Sequence, residues 1–215
     1  MSEAVTTAPP KVQTVPMTRR EFLYYIWGAS MALLSAESVG AIIWFAIPRF
    51  KAGEFGGVFT LALSELPEVD SGPKAYPDGR FWLVSLGDKT VSDPRQPKDY
   101  PVRKGVQAIY KVCVHLGCLY KWVPTNNRFE CPCHGSKYLL NGVRIDGPAR
   151  RNLDMLVTQI VDANGKVLAE TKTGDTNRDD TAGAPLEIPP GAAAIKVNTG
   201  KRVVGANNSK PGGGK

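Results

Sequence analysis

The chain has 215 residues, 42% of them hydrophobic, and a formal net charge of +7 at pH 7. That length gives room for one domain of about 115 residues plus extensions. Its basic residues are scattered, with no charge run and no aromatic-interleaved stripe, so the positive balance describes a generally basic surface and argues against a nucleic-acid partner.

Residues 1–21 read as a cytoplasmic N-terminal tail. Up to residue 17 they are polar, with Pro9, Pro10 and Pro16 and no periodic pattern. Thr18-Arg19-Arg20-Glu21-Phe22-Leu23 then matches the twin-arginine export motif. An arginine pair alone is usually only a positive flank, but this one immediately precedes a long apolar stretch.

Phe22 to Ile47 is 26 residues with a single charge, Glu37. That exceeds the roughly 20 helical residues needed to cross a bilayer. It is too long for a signal-peptide core, and no small-residue cleavage site follows it, so an uncleaved signal-anchor is expected. Lys11, Arg19 and Arg20 favour a cytoplasmic N-terminus. Gly28, Ala32, Ala36 and Gly40 recur every four residues and form one ridge of small side chains, a face for packing against another helix. Glu37 lies beside that ridge. A charge deep in a membrane is costly, so Glu37 is expected to face a partner subunit; a lone protonated Glu near the outer side is the alternative.

Pro48 ends the helix. Residues 48–57, with Gly53, Gly56 and Gly57, read as a flexible tether, against the plainer reading of an inert linker. Fully extended, about ten residues reach at most about 35 Å.

From Val58 the pattern changes to short β-rich runs: Val58–Leu63, Phe81–Leu86, Val106–Val112, Leu156–Val161 and Lys166–Glu170. Asn141-Gly142 and Asn164-Gly165 are hairpin signals between extended segments. Residues 67–104 carry one of these strands and otherwise read as long surface loops. An all-β head over 58–171 is expected, built on antiparallel strands, with a subdomain at about 110–150 inserted into it.

All four cysteines and both histidines of the chain lie in two short segments of that insertion, Cys113-Val-His115-Leu-Gly-Cys118 and Cys131-Pro-Cys133-His134-Gly-Ser136. Thiolate and imidazole ligands gathered in two loops indicate a metal centre. Each loop offers one Cys and one His, as Cys113-x-His115 and Cys131-x-x-His134, and each holds a spare cysteine, Cys118 and Cys133. Structural zinc, which usually takes two C-x(2–4)-C knuckles or Cys and His pairs of that separation, is the competing reading. Two Cys and two His suit a [2Fe–2S] centre with thiolates on one iron and imidazoles on the other.

At these residues the sequence resembles the Rieske iron–sulfur proteins of the cytochrome bc and bf complexes, whose boxes read C-T-H-L-G-C and C-P-C-H-G-S. The second box matches throughout and continues to Tyr138; the first departs once, at Val114. The resemblance implies a [2Fe–2S] cluster with Cys113 and Cys131 on one iron and His115 and His134 on the other. It also implies a Cys118–Cys133 disulfide, and hydroxyls of Ser136 and Tyr138 that tune the potential. Gly147-Pro148-Ala149 resembles the family's cluster-shielding proline loop, with Arg150 where a second proline is common. The twin-arginine motif fits such a protein, because that route exports folded, cofactor-loaded domains.

Three classes share this centre. A Rieske oxygenase also needs a mononuclear iron held by two further histidines, and this chain has none to spare. A soluble carrier, or the Rieske subunit of another oxidoreductase such as arsenite oxidase, remains the alternative. The anchor and tether favour the mobile subunit of a quinol:cytochrome c (or plastocyanin) reductase. In that reading a cytochrome b-type subunit and a c-type cytochrome are partners in a dimeric complex. The chain lacks a C-x-x-C-H haem motif, which assigns the haems to other chains. His134, with His115 beside it, is the expected contact for quinol. The expected location is a cell or thylakoid-type membrane, with the head on the periplasmic or outer side. Beyond about Thr171 the chain is rich in Gly, Pro, Asp, Asn and Lys, and 172–215 is expected to be disordered. Within it, Pro185–Val197 is a candidate segment for docking on a partner.

Overall fold

The computed structural model describes residues 16–47, 55–97 and 103–207. These fall into two units divided between residues 49 and 50. The first contains a single helix, α1 (Arg19–Ala46). The helix starts three residues before the expected Phe22, because Thr18 and Glu21 form a capping box. The Glu21 N–H donates to the Thr18 hydroxyl, and the Thr18 N–H donates to Glu21 at 2.9 Å. This satisfies two of the donors that a helix start leaves unpaired. The arginine pair therefore occupies the first turn. At about 1.5 Å per residue, the 28 residues of α1 are long and apolar enough to cross a membrane. Ser30 and Ser35 return their hydroxyls to the carbonyls of Ile26 and Met31, which keeps both polar groups satisfied within the helix. Gly28, Ala32, Ala36, Gly40 and Glu37 are all exposed on α1 in the single chain.

The second unit is the β head. Its larger sheet is antiparallel and contains β1 (Val58–Ala62), β2 (Lys74–Tyr76), β3 (Phe81–Leu86), β4 (Gly105–Tyr110), β9 (Met155–Val161), β10 (Val167–Glu170) and β11 (Ala194–Val203). The order is β1-β11-β9-β4-β3-β2, with β10 also on β9. A four-stranded sheet, β5 (Lys121–Val123), β6 (Arg128–Glu130), β7 (Lys137–Tyr138) and β8 (Arg144–Asp146), follows in simple up-and-down order. Because β4 pairs directly with β9, the chain between them, 111–154, is an insertion into the larger sheet. This is the expected inserted subdomain, a few residues longer than its sequence bounds.

The near-continuous apolar run Phe81–Leu86 has a physical reason. Side chains alternate across a strand, and here both faces are covered. Phe81 and Leu83 enter the core of the larger sheet with Val106, Ala108, Leu156, Ile160, Ile195 and Val197. Val84 and Leu86 enter a second core with Ile109, Tyr120, Phe129, Tyr138, Leu153 and the sulfurs of Cys113 and Cys131. Strands β3 and β4 are therefore the wall between the base of the head and the inserted subdomain. Both Asn-Gly hairpins form, with Gly142 and Gly165 at φ 78° and 82°.

Four expectations need correction. First, 172–215 is not a disordered extension as far as residue 207. Strand β11 lies between β1 and β9, and Ile195 and Val197 are fully buried. Second, Pro185–Val197 docks within its own head: Leu186 bridges to Val106 beside β4, and 194–197 belong to β11. Third, 67–104 also contains β2 and a short helix, α2 (Asp88–Val91). The Asp70 carboxylate accepts the N–H groups of Gly87, Lys89 and Thr90 at the start of α2. Fourth, the last part of the expected tether is seated on the head. The Gly56 N–H donates to the Thr199 hydroxyl at 2.7 Å, and the Gly57 carbonyl accepts from the Thr199 N–H. The tether residues 48–54, the tail residues 1–15 and residues 208–215 lie outside the described residues.

Candidate metal centre

The two Cys/His loops have the same backbone form. In the first, the Cys113 N–H donates to the Cys118 carbonyl and the Gly117 N–H donates to the Cys113 carbonyl. In the second, Cys131 donates to Ser136 and Gly135 donates to Cys131. Gly117 and Gly135 take φ of 81° and 74°, a conformation that favours glycine. The loops superpose in role as Cys113 with Cys131, Gly117 with Gly135, and Cys118 with Ser136.

Cys113 and Cys131 are free thiols and both are buried. The other two cysteines, Cys118 and Cys133, form a disulfide with a Cα–Cα distance of 6.6 Å, which ties one loop to the other. The sulfurs of Cys118, Cys131 and Cys133 lie within 4.8 Å of one another, but the disulfide removes two of them as ligands. His115 and His134 come together, one from each loop, with ring centroids 4.8 Å apart and planes near perpendicular. His134 is exposed and His115 half-buried. The donor set divides into soft sulfur on the buried side and imidazole on the solvent side.

The surroundings suit sulfur ligands. Burial pushes the Cys131 thiol up, while the N–H groups of Cys133 and His134 aim at its sulfur and favour the thiolate. The Tyr138 hydroxyl lies 3.2 Å from the Cys113 sulfur. Burial first, and the Cys113 contact second, hold that phenol protonated far above its ordinary range, so it remains a donor. Tyr120 is likewise held neutral, chiefly by burial, and donates to the Tyr110 carbonyl at 2.7 Å. Tyr120, Phe129, Trp122 and Trp82 pack ring against ring behind the cysteines and fix the floor of the site.

The segment Gly147-Pro148-Ala149 lies against the second loop. The Ala149 N–H donates to the Ser136 hydroxyl at 3.2 Å, and the Ser136 side chain is also hydrogen-bonded to the Tyr138 hydroxyl. Gly147 approaches the second loop so closely that an added Cβ would lie 2.5 Å from the Ser136 Cα. Ala149 is buried, while Pro148 and Arg150 are exposed. The first box's one departure, Val114, packs half-buried against the core around the thiols.

The described site thus presents two buried thiols and two adjoining imidazoles on loops joined by a disulfide. A family model for the Rieske [2Fe-2S] domain matches residues 77–160. The cytochrome b6-f complex iron-sulfur subunit of Chlorobaculum thiosulfatiphilum is 33% identical over 152 residues, covering 68% of this chain and 75% of that protein.

The chain belongs to the Rieske iron–sulfur protein family.

The corresponding subunit of Synechococcus sp. (strain JA-3-3Ab) is 32% identical, covering 74% of this chain and 91% of its own. The crystal structure of the cyanobacterial plasma membrane Rieske protein PetC3 from Synechocystis PCC 6803 is 30% identical, with a TM-score of 0.30 over 45% of this chain and 84% of that one. The family match makes this a [2Fe–2S] domain, and two buried thiols with two imidazoles fit that cofactor. Sequence reading passed over Leu116 and Leu119, which are 71% and 59% exposed on the first loop. Large apolar residues beside a ligand, with no strand period to bury them, were the available signal.

Proposed function

We propose that the protein is the Rieske subunit of a quinol-oxidising cytochrome bc-type complex, passing electrons from quinol to a c-type haem. The observation that carries it is the pairing of His115 and His134 at the solvent end of a buried two-thiol site, in a chain that also carries the apolar helix α1. Relatives named as cytochrome b6-f complex iron-sulfur subunits support the same reading. Cys113 and Cys131 would hold one iron and His115 and His134 the other. When bound, the cluster supplies one-electron chemistry and makes the ring N–H groups of its imidazole ligands more acidic.

The chain's own residues do the rest. His134 is the exposed imidazole, so its outer ring nitrogen accepts a hydrogen bond from the quinol hydroxyl and holds the proton that quinol releases. His115 supports it from the other loop. Leu116 and Leu119 give the rim an apolar surface that excludes water as a quinone ring or a protein surface approaches. The Cys118–Cys133 disulfide and the Gly147–Ala149 loop keep the two loops in register. Ser136 and Tyr138 supply hydroxyl protons on the sulfur side. Positioning and redox poise, with no covalent side-chain chemistry, are what the protein contributes.

In this reading α1 is a single-pass anchor with a cytoplasmic N-terminus, and the head works on the opposite side. The ridge Gly28, Ala32, Ala36 and Gly40, with Glu37 beside it, packs against a partner helix in a dimeric complex. The head moves between a quinol site on a cytochrome b-type subunit and a haem site.

The test is electron paramagnetic resonance of dithionite-reduced protein with metal analysis. Wild type should contain two irons per chain and give a Rieske signal, and Cys113→Ser, Cys131→Ser and His134→Ala should give none. Zinc in place of iron overturns the reading. So does a purified membrane complex, cluster intact, that fails to oxidise quinol.

A further inference from the structure

Arg80 and Lys111 converge on a cleft of about 420 Å³ at the edge of the inserted subdomain, lined otherwise by Pro77, Val112, Gly117 and Leu119. Lys111 and Val112 immediately precede Cys113, while Gly117 and Leu119 bracket Cys118. The cleft therefore opens beside the first cysteine loop.

Neither cation has a carboxylate partner among the described residues. Elsewhere on the head, Arg95, Lys104, Lys137 and Lys172 are each paired with an aspartate. Arg80 and Lys111 instead lie against aromatic faces. The Arg80 guanidinium is 4.7 Å from the centroid of Phe55, and the Lys111 ammonium is 4.4 Å from that of Trp82. A cation–π contact of this kind holds a side chain in place without neutralising it. The backbone joins the two as well, since the Lys111 N–H donates to the Arg80 carbonyl at 2.8 Å. The result, among the described residues, is two positioned positive charges without a carboxylate partner, facing one concavity that no described acidic residue lines.

We propose that this cleft receives a carboxylate side chain of the haem protein that takes electrons from the cluster. The proposal rests on the electron-transfer function above. Leu119 lines the cleft and lies four residues after His115 on the same stretch of chain, so the cleft borders the loop that presents one of the two imidazoles. An apolar centre with a charged rim is the usual anatomy of such an interface. Arg80 offers a fork of N–H donors that matches a carboxylate, and Lys111 adds a compact charge beside it. Two like charges at one edge also orient the head as it nears an acidic surface.

The experiment uses the full chain in its membrane complex and follows haem reduction by rapid mixing or flash at several ionic strengths. Wild type should slow as salt rises. Lys111→Gln and Arg80→Gln should each slow haem reduction about two- to fivefold at low salt, the scale of a half-exposed ion pair. Both should show a flatter salt dependence and converge with wild type near 1 M salt, where charges are screened within about 3 Å. Lys111→Arg should stay near wild type. Lys166→Gln, in the turn between β9 and β10, should change nothing. Electron paramagnetic resonance in every variant confirms an intact cluster. Unchanged rates in Lys111→Gln and Arg80→Gln, or slower rates with an unaltered salt dependence, overturn the proposal. A wild-type rate that falls when anionic phospholipid is removed, with Lys111→Gln insensitive, assigns the cleft to a lipid headgroup and also overturns it. A wild-type complex with an intact cluster that never reduces the haem removes the functional reading, and this proposal with it.

Discussion

The Tyr138 hydroxyl lies 3.2 Å from the Cys113 sulfur, and both residues are buried. A donor held against a thiolate ligand stabilises whichever redox state carries more negative charge on sulfur, which is the reduced one. The Ser136 hydroxyl accepts the Ala149 N–H and is hydrogen-bonded to the Tyr138 hydroxyl, so it is expected to act on the sulfurs as part of the same network. If each bond differs between redox states by about 1–2 kcal/mol, each is worth roughly 40–90 mV in a one-electron couple. Tyr138→Phe and Ser136→Ala are expected to lower the midpoint potential by that amount, with the cluster retained. Protein-film voltammetry reads the shift. Potentials unchanged in both variants would remove the hydroxyls from the account.

Gly147 meets two demands at once. Its φ is 91°, and an added Cβ would lie 2.5 Å from the Ser136 Cα and 2.7 Å from the Gly135 carbonyl oxygen. Gly147→Ala should displace the shielding loop, lower the melting temperature and speed cluster bleaching. Gly117 has a similar φ of 81° but open space at its Cβ position. Gly117→Ala should therefore cost only the backbone term, about 1–2 kcal/mol. Equal losses in the two variants would mean that close packing of the loop contributes nothing.

The Cys118–Cys133 disulfide joins the loops without offering either sulfur to a metal. Cys118→Ala combined with Cys133→Ala should still acquire cluster and lose it at a lower temperature, since a closed loop of this size contributes about 3 kcal/mol. Mass spectrometry should find these two cysteines bridged and Cys113 and Cys131 free after the cluster is removed. A double variant as heat-resistant as wild type would count against this role.

Strand β11 is part of the head and should behave so. Ile195→Ala should cost about 2–5 kcal/mol, as for other fully buried aliphatic side chains. A chain ending at Thr171 should neither fold nor hold iron, because β1 and β9 would lose the strand between them. Chemical denaturation with metal analysis reads both variants, and a stable, cluster-bearing truncation at Thr171 would contradict the sheet order.

The metal centre is legible in sequence because its ligands are rare residues crowded into two loops of fixed spacing. The anchor is legible because its length is set by the bilayer. Strands such as Phe81–Leu86 show through their composition, since both faces are buried. Strand β11 does not. Its signal is the alternation Ile195, Val197, Thr199, with Lys196 and Asn198 between, inside a stretch whose overall composition reads as disorder.

Residue order alone determined what ligands exist, how they divide between two loops, and that a single long apolar segment precedes the head. Tertiary structure decided which distant groups meet. It set β11 between β1 and β9, closed Gly147 onto Ser136, and turned Arg80 and Lys111, thirty-one positions apart, toward one cleft. The physical reason is that ligand identity and helix length are local properties. Strand neighbours, close backbone approach and convergent charge depend on contacts between segments far apart in the chain, and only packing fixes those.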